Sequence, residues 1–374
     1  MPDVRPDMTA QHIALVFHDF STGGTERIAI RLANCWAAGG RRVTIFCGTE
    51  EGRARSLVCP EVTVIACTPQ IRRGWTSRFR LGWRLATLLD VHKPDIVFSP
   101  GNFHLSVIAV AGRRMRSLST RFVCKISNPL LPRNAPSLVQ RLLSRMLRPL
   151  VASVDQWTAM SPRLASEATI ILGAKPIQYI PEPILDQMPT PPSHYIARDQ
   201  HPVVLCAGRL EWQKDFQLAL QAFAELSPLL GARLVILGEG PDKERLEAES
   251  RRLDIENFVT FAGYVDNVAE WMARASLFLM TSRFEGFPAV LIEARSMGLP
   301  IVTTDCSAAI SEIISRDCHG QIVRSRAPEV IGAAINRQLS VPQTNGVEIA
   351  LGTDEFQLSK IAPQWLQLFD RIAA

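Results

Sequence analysis

Residues 12–38 read HIALVFHDFSTGGTERIAIRLANCWAA. The run His12–Phe17 is short and almost wholly apolar, which predicts a buried strand, and the apolar spacing from Thr25 to Ala38 predicts an amphipathic helix. Between them stands His18-Asp19-Phe20-Ser21-Thr22-Gly23-Gly24-Thr25-Glu26. Two adjacent glycines let a backbone approach a ligand closely, and the exposed amides of a helix start favour a phosphate. The spacing is not GxGxxG, so no dinucleotide fingerprint is present. A plain tight turn with Thr25 as helix cap is an equally open reading of the glycine pair.

The same alternation runs outward along the chain. In the first half, strands are expected at Val43–Cys47, Val62–Ala66, Asp95–Phe98, Arg121–Ile126 and Asp155–Met160, with helices at Arg78–Val91 and Pro136–Leu150. Apolar strands separated by helices predict an α/β fold with a parallel sheet covered on both faces. Six prolines, Pro181, Pro183, Pro189, Pro191, Pro192 and Pro202, then interrupt the pattern. A second unit follows, with strands Val203–Ala207, Leu234–Leu237, Val259–Phe261, Leu277–Met280 and Ile301–Thr303 and helices Asp215–Leu226, Asp242–Leu253, Asn267–Arg274 and Phe287–Met297. The expected organisation is a Rossmann-like domain over 1–185, a Pro-rich linker over 186–200 and a second Rossmann-like domain over 201–357, facing across a cleft. Ile361, Trp365, Leu366 and Phe369 recur at helical spacing, so a C-terminal helix over 358–374 is expected to return to the first domain.

Composition narrows the class. The chain has 374 residues, 47% of them hydrophobic, enough for two or three cores at about 150 residues per domain. Its longest apolar runs are about five residues, against about 20 for a membrane span. The first ten residues lack the basic-then-apolar pattern of a secretory signal, so a cytosolic location is expected. Eight cysteines include no CxxC pair and no zinc-type spacing, which fits small core residues in a reducing compartment. The net charge of +5 conceals a division: residues 1–180 carry 24 Lys and Arg against 11 Asp and Glu, and the remainder 17 against 25.

Three segments of the second half concentrate chemistry. Gly208-Arg209-Leu210 closes a strand, and Lys214 precedes a helix, so two cations stand where a diphosphate is readily held. A solvated loop is the alternative. In Ser282-Arg283-Phe284-Glu285-Gly286-Phe287-Pro288-Ala289-Val290-Leu291-Ile292-Glu293, Glu285 is expected on a loop and Glu293 two turns into a helix whose first turn holds Pro288. Two carboxylates beside an anion-favouring helix start fit a ligand with hydroxyls and phosphates together. An ordinary ion pair on the helix is the other reading of Glu293.

The segments TGGTERIAIRLA, AGRLEWQKDF, LGEGP at 237–241, FAGYVDNV at 261–268 and SRFEGFPAVLIEARSMGLPIVTTD at 282–305 together resemble the family 4 retaining glycosyltransferases of the GT-B fold. The resemblance implies that Arg209 and Lys214 bind the donor diphosphate, Glu293 the ribose and Glu285 the transferred sugar. It places Gly23 and Gly24 over the phosphates and Gly208, Tyr264, Val265, Gly286, Phe287, Pro288 and Val290 along the donor. It further implies transfer of a hexose or N-acetylhexosamine with retention, from a nucleotide sugar, UDP-linked by the EGFP form, to a lipid-linked or polysaccharide acceptor held by the first domain. No Asp-x-Asp occurs, so metal-independent transfer without a cofactor is expected. Many relatives carry a histidine after the fifth strand, where this chain has Lys125-Ile126-Ser127-Asn128-Pro129; Lys125 and Asn128 become acceptor or sugar contacts. His18 and His104 also stand at positions that can face the cleft. A silent GT-B-like scaffold or a sugar-nucleotide epimerase are the alternatives.

The basic half points to a surface. Arg72, Arg73, Arg78, Arg80 and Arg84 interleave with Trp75, Phe79 and Trp83, a pattern suited to an anionic membrane at the inner face. Leu138, Val139, Leu142, Leu143, Met146, Leu147 and Leu150 share a helical face opposite Arg141, Arg145 and Arg148. That second stretch reads equally as a membrane face or as a core-facing helix. No nucleic-acid motif accompanies the charge.

Overall fold

The computed structural model describes residues 9–21, 23–116, 119–128, 130–131, 137–173, 177–189, 201–226, 231–340 and 346–374. The chain forms two compact units, one from its start to Asp186 together with Phe356–Ala374, the other from Gln187 to Glu355. Residues 190–200 of the expected linker lie outside the described residues.

The first unit is built on β1 (His12–Phe17), β2 (Arg42–Cys47), β3 (Thr63–Ala66), β4 (Ile96–Ser99), β5 (Arg121–Ile126), β6 (Gln156–Ala159) and β7 (Ile177–Tyr179). All pair in parallel in the order β3-β2-β1-β4-β5-β6-β7. Every residue of β1 is buried, as a central strand covered on both faces requires. Crossovers are made by α1 (Gly24–Ala38), α2 (Ser77–His92), α3 (Leu105–Arg114), α4 (Ser137–Val151) and α5 (Pro162–Leu172). The N-cap of α1 is Gly23, and Thr25 lies inside the helix. On α4 the side chains of Arg141, Met146 and Arg148 lie outside the described residues, while Leu138 and Leu142 are 75% and 61% exposed.

The C-terminal helix, Leu358–Ala373, joins this unit through main-chain bonds from Leu185 N to Phe356 O (3.0 Å) and Leu358 N to Leu185 O (2.8 Å). Its Trp365 and Phe369 enter the core beside Phe98, at ring-centroid distances of 4.7 and 5.8 Å, and Phe369 also meets Trp36 at 5.2 Å. Trp36 donates its indole N–H to Ala362 O (3.2 Å), and Arg41 grips both oxygens of Asp370 at 2.8 and 2.7 Å. Burial of these rings supplies the hydrophobic gain, and the bidentate pair sets orientation.

The second unit has β8 (Val203–Ala207), β9 (Arg233–Leu237), β10 (Val259–Gly263), β11 (Leu277–Met280), β12 (Ile301–Thr304) and β13 (Gly320–Val323), again parallel, in the order β10-β9-β8-β11-β12-β13. Its helices are α6 (Phe216–Ala224), α7 (Lys243–Arg252), α8 (Val268–Arg274), α9 (Ala289–Ser296), α10 (Ile310–Ile313), α11 (Pro328–Ser340) and α12 (Gly346–Ala350). In both units the chain order reverses beside the first strand, between β1 and β4 and between β8 and β11. Open parallel sheets bind ligands at the carboxyl ends of strands at such a reversal. Helix α9 begins two residues later than its sequence implies, because Pro288 with φ −79° and ψ 84° is the N-cap; Glu293 therefore sits one turn into the helix, not two.

Trp365→Ala removes a ring that is 1% exposed and is expected to lower the first unit's stability by about 3–5 kcal/mol. Thermal unfolding should show the loss, with exposed Gln367→Ala close to wild type; an unchanged transition in Trp365→Ala would show that the helix does not complete this core.

Candidate functional site

At the carboxyl end of β8 the chain turns through Gly208, and the end of β9 packs directly on that turn. Gly238 holds φ +132°, and any side chain there would strike the Gly208 carbonyl, so the LGEGP segment needs glycine at this point. Leu210 N donates to Glu239 O at 2.9 Å and locks the two loops together.

The next residues carry the charges. Lys214 Nζ donates to Glu285 Oε1 at 2.6 Å, and Ser282 Oγ donates to the same oxygen at 2.8 Å. The two side chains are only 24% and 10% exposed. Their placement depends on Asp215, a residue the sequence did not mark as functional. It stands at φ +49° with its carboxylate buried, accepts from Arg326 Nη2 (2.6 Å) and forms an ion pair with Arg283 Nη2 (2.8 Å). Arg326 also donates to Ser282 O (3.1 Å) and Thr281 O (3.0 Å), while Thr281 Oγ1 donates to Asp215 O (2.9 Å). Arg283 N donates to Gln213 O (2.8 Å) and Gln213 Nε2 to Phe284 O (2.9 Å). From the other side Glu285 N donates to Cys306 O (2.9 Å) and Ser307 Oγ to Gly286 O (2.7 Å).

An ammonium and a carboxylate thus meet at the reversal between β8 and β11, beside the start of α9. The cation and helix terminus favour a phosphate, and the carboxylate accepts from hydroxyls. Gly286, Phe287, Pro288 and Val290 form the path from Glu285 into α9, and half-buried Glu293 projects from its second turn. Arg209 shares the β8 end, with its guanidinium 63% exposed and bonded to Glu211 at 2.9 Å. Tyr264 and Val265 follow β10, at the far edge of the sheet.

In the first unit, Gly23 and Gly24 lie at the start of α1, where the Glu26 carboxylate folds back over Gly23. Arg73 is not a free surface cation: it binds Asp19 through two nitrogens, one at 2.9 Å, and donates to Ser21 Oγ at 2.8 Å. Burial alone would raise the Asp19 pKa, but the bonds from Arg73 and Ser21 bring it down to about 2. His18 and His104, at the reversal between β1 and β4, are buried. Burial lowers both pKa values, His104 to about 3 with the charges of Arg73 and Arg78 adding to the effect, so the His104 ring stays neutral. Lys125 is 1% exposed and gives its ammonium to both oxygens of buried Glu182, at 2.6 and 2.8 Å. This ion pair keeps it inside the unit, and it does not present its charge at the surface. Asn128 is exposed, and Asn102, which the sequence did not single out, donates to its carbonyl (3.0 Å) and accepts from Ser127 Oγ (3.0 Å).

Two Rossmann-like parallel sheets, each with its strand order reversing beside the first strand, define the class of the GT-B glycosyltransferase fold. Family models agree: "Glycosyl transferase 4-like domain" matches residues 23–182 and "Glycosyl transferases group 1" residues 201–340. The chain belongs to the group 1 glycosyltransferases. It is 32% identical over 140 residues to the amylovoran biosynthesis glycosyltransferase AmsD of Erwinia amylovora, covering 37% of this chain and 39% of that protein. It is 37% identical over 120 residues to the N-acetylgalactosamine-N,N'-diacetylbacillosaminyl-diphospho-undecaprenol 4-alpha-N-acetylgalactosaminyltransferase of Campylobacter jejuni, covering 32% of each. The chain therefore matches these curated relatives over less than half their length. Among solved structures, Anabaena HepE in complex with UDP superposes with a TM-score of 0.77 at 18% identity, over 96% of this chain and all of the other.

Asp215→Asn keeps the side-chain shape and removes the charge that holds Arg283 and Arg326. It is expected to cost the second unit about 1–3 kcal/mol, read by thermal unfolding. Stability equal to wild type would mean that the neighbouring main-chain bonds alone hold the loop.

Proposed function

We propose that the protein transfers a hexose or N-acetylhexosamine from a UDP-sugar to a lipid-linked or polysaccharide acceptor, with retention at the anomeric carbon and without a metal ion. The observation that carries this reading is the Lys214–Glu285 pair, whose Glu285 opens the EGFPAVLIEA frame, at the β8/β11 reversal. AmsD, the Campylobacter transferase and the UDP complex of HepE support the choice of acceptor and donor class.

When the donor binds, its diphosphate competes for Lys214 and its sugar hydroxyls compete for the Glu285 carboxylate, so one substrate replaces one internal ion pair. Glu293 accepts from the ribose, and Arg209 exchanges its bond to Glu211 for a phosphate oxygen. As the bond from the anomeric carbon to the phosphate oxygen breaks, charge grows on the leaving diphosphate beside Lys214, Arg209 and the α9 terminus. Fixed cations there stabilise the transition state more than the ground state. The acceptor oxygen bonds to the same face of the anomeric carbon, and its proton passes to the departing phosphate oxygen. No enzymic nucleophile takes part.

The first unit is read as the acceptor side, working at the inner face of a membrane. Exposed Trp75, Phe79 and Trp83 among arginines, with exposed Leu138 and Leu142 on α4, support that location. Among the described residues no helix is long and apolar enough to cross a membrane.

Lys214→Ala and Glu285→Ala are each expected to lower UDP-sugar turnover by about 10²–10³-fold with the fold intact. Activity within a few-fold of wild type in either folded variant removes the pair from the donor site. An α-linked donor should give an α-linked product in the presence of EDTA, read from the anomeric proton signal. A β-linked product, or loss that added divalent metal restores, overturns retention or metal independence respectively.

A further inference from the structure

A groove of about 310 Å³ lies on the first unit, lined by Pro69, Ile71, Phe79, Arg80, Trp83 and Arg84. Its floor follows β3 and is fixed: Ile71 N donates to Gly48 O at 2.8 Å, and Cys67 N to Cys47 O at 2.9 Å. Its wall is α2, where Phe79 and Trp83, one turn apart, stay 57% and 45% exposed with ring centroids 6.0 Å apart. Arg114 of α3 stacks on Trp83 at 3.2 Å and braces the ring from behind. The adjacent stripe of α2 carries Arg80 and Arg84. Neither has a carboxylate within ion-pair distance among the described residues, whereas neighbouring Arg72 and Arg73 are bound to Glu51 and Asp19.

We infer that this groove takes the hydrocarbon chain of a phosphate-headed membrane lipid, with Arg80 and Arg84 on the phosphate. The lining decides the chemistry. Pro69, Ile71, Phe79 and Trp83 offer a sugar no acceptor for its hydroxyls, and their surface suits an aliphatic chain. Among the described lining residues the polar side-chain groups are two guanidiniums and the Trp83 indole N–H, donors without acceptors, which match a phosphate. An apolar trough beside two unneutralised cations is complementary to one molecule type, an anionic amphiphile.

This rests on the membrane reading above and narrows it from a surface to a site. The test uses soluble probes first. Calorimetric titration of the full chain with octyl phosphate, octanol and inorganic phosphate should show saturable binding of octyl phosphate alone. Arg80→Ser with Arg84→Ser is expected to weaken it about thirtyfold, the fold-change equal to about 1 kcal/mol for each of two cations at a lipid surface. Phe79→Ser should weaken it as well, and Trp75→Ser, which lies outside the groove, should not. Octanol binding as tightly as octyl phosphate, inorganic phosphate binding as tightly, or indifference to the paired Arg substitutions would each overturn the site. Co-sedimentation with phosphatidylcholine vesicles with and without phosphatidylglycerol separates the two readings. Salt-sensitive vesicle binding without octyl phosphate binding keeps the membrane and removes the groove; octyl phosphate binding without vesicle binding keeps the groove and removes the membrane.

Discussion

The Asp215 carboxylate is the anchor of the second unit's reactive edge. It is buried, it holds a left-handed backbone, and it pairs with two arginines that come from β-loop segments 68 and 111 positions further along the chain. A buried carboxylate without those partners would be expensive, and with them it fixes three loops in one register. Lys214 precedes it by one residue and Glu285 follows Arg283 by two. The ammonium and carboxylate that meet at 2.6 Å are therefore placed by a neighbouring ion cluster. Preorganisation of this kind lets a site stabilise developing charge without reorganising as it appears.

The Lys214–Glu285 bond also shapes how such a site behaves before substrate arrives. Each group satisfies the other, so neither is left as an unpaired, partly buried charge. A ligand with only a phosphate would free the lysine but strand the carboxylate, and a ligand with only hydroxyls would do the reverse. On the proposed reading a sugar diphosphate replaces both partners together, and the pair then discriminates by requiring that two chemistries arrive on one molecule.

Much of this was legible from residue patterns, for definite reasons. Strands such as His12–Phe17 and Leu277–Met280 are apolar on both faces, so a parallel, double-covered sheet was readable from them. The block from Ser282 to Glu293 fixed its own loop-to-helix sense through Gly286 and Pro288. By contrast, α3 (LSVIAVAGRR) is a short apolar run whose period does not separate helix from strand, and β7 is three residues long. The Asp215–Arg326 bond spans 111 positions, and no local signal marks either end as a partner of the other. Lys125 stands out in the sequence because it lies where many relatives carry a histidine, and nothing local shows that Glu182, 57 positions away, takes its charge inside.

The charge division between the two halves resolves in the same way, once partners are assigned. Of the five arginines from Arg72 to Arg84, Arg72 is bound to Glu51, Arg73 is bound to Asp19 beside the strand reversal, and Arg78 lies 3.6 Å over the Phe103 ring. A count of basic residues treats these as equal, although a guanidinium already held by a carboxylate has little left to offer a membrane. Arg80 and Arg84 differ because α2 turns them away from the acids of the β-loops and towards the apolar groove. The loop before α2 thus gives Arg72 and Arg73 to local acids, and α2 itself leaves Arg80 and Arg84 at an exposed aromatic stripe. Position along the chain, in the loop or on the helix, therefore separates the arginines held by acids from those left beside the groove, a distinction that net charge alone does not contain.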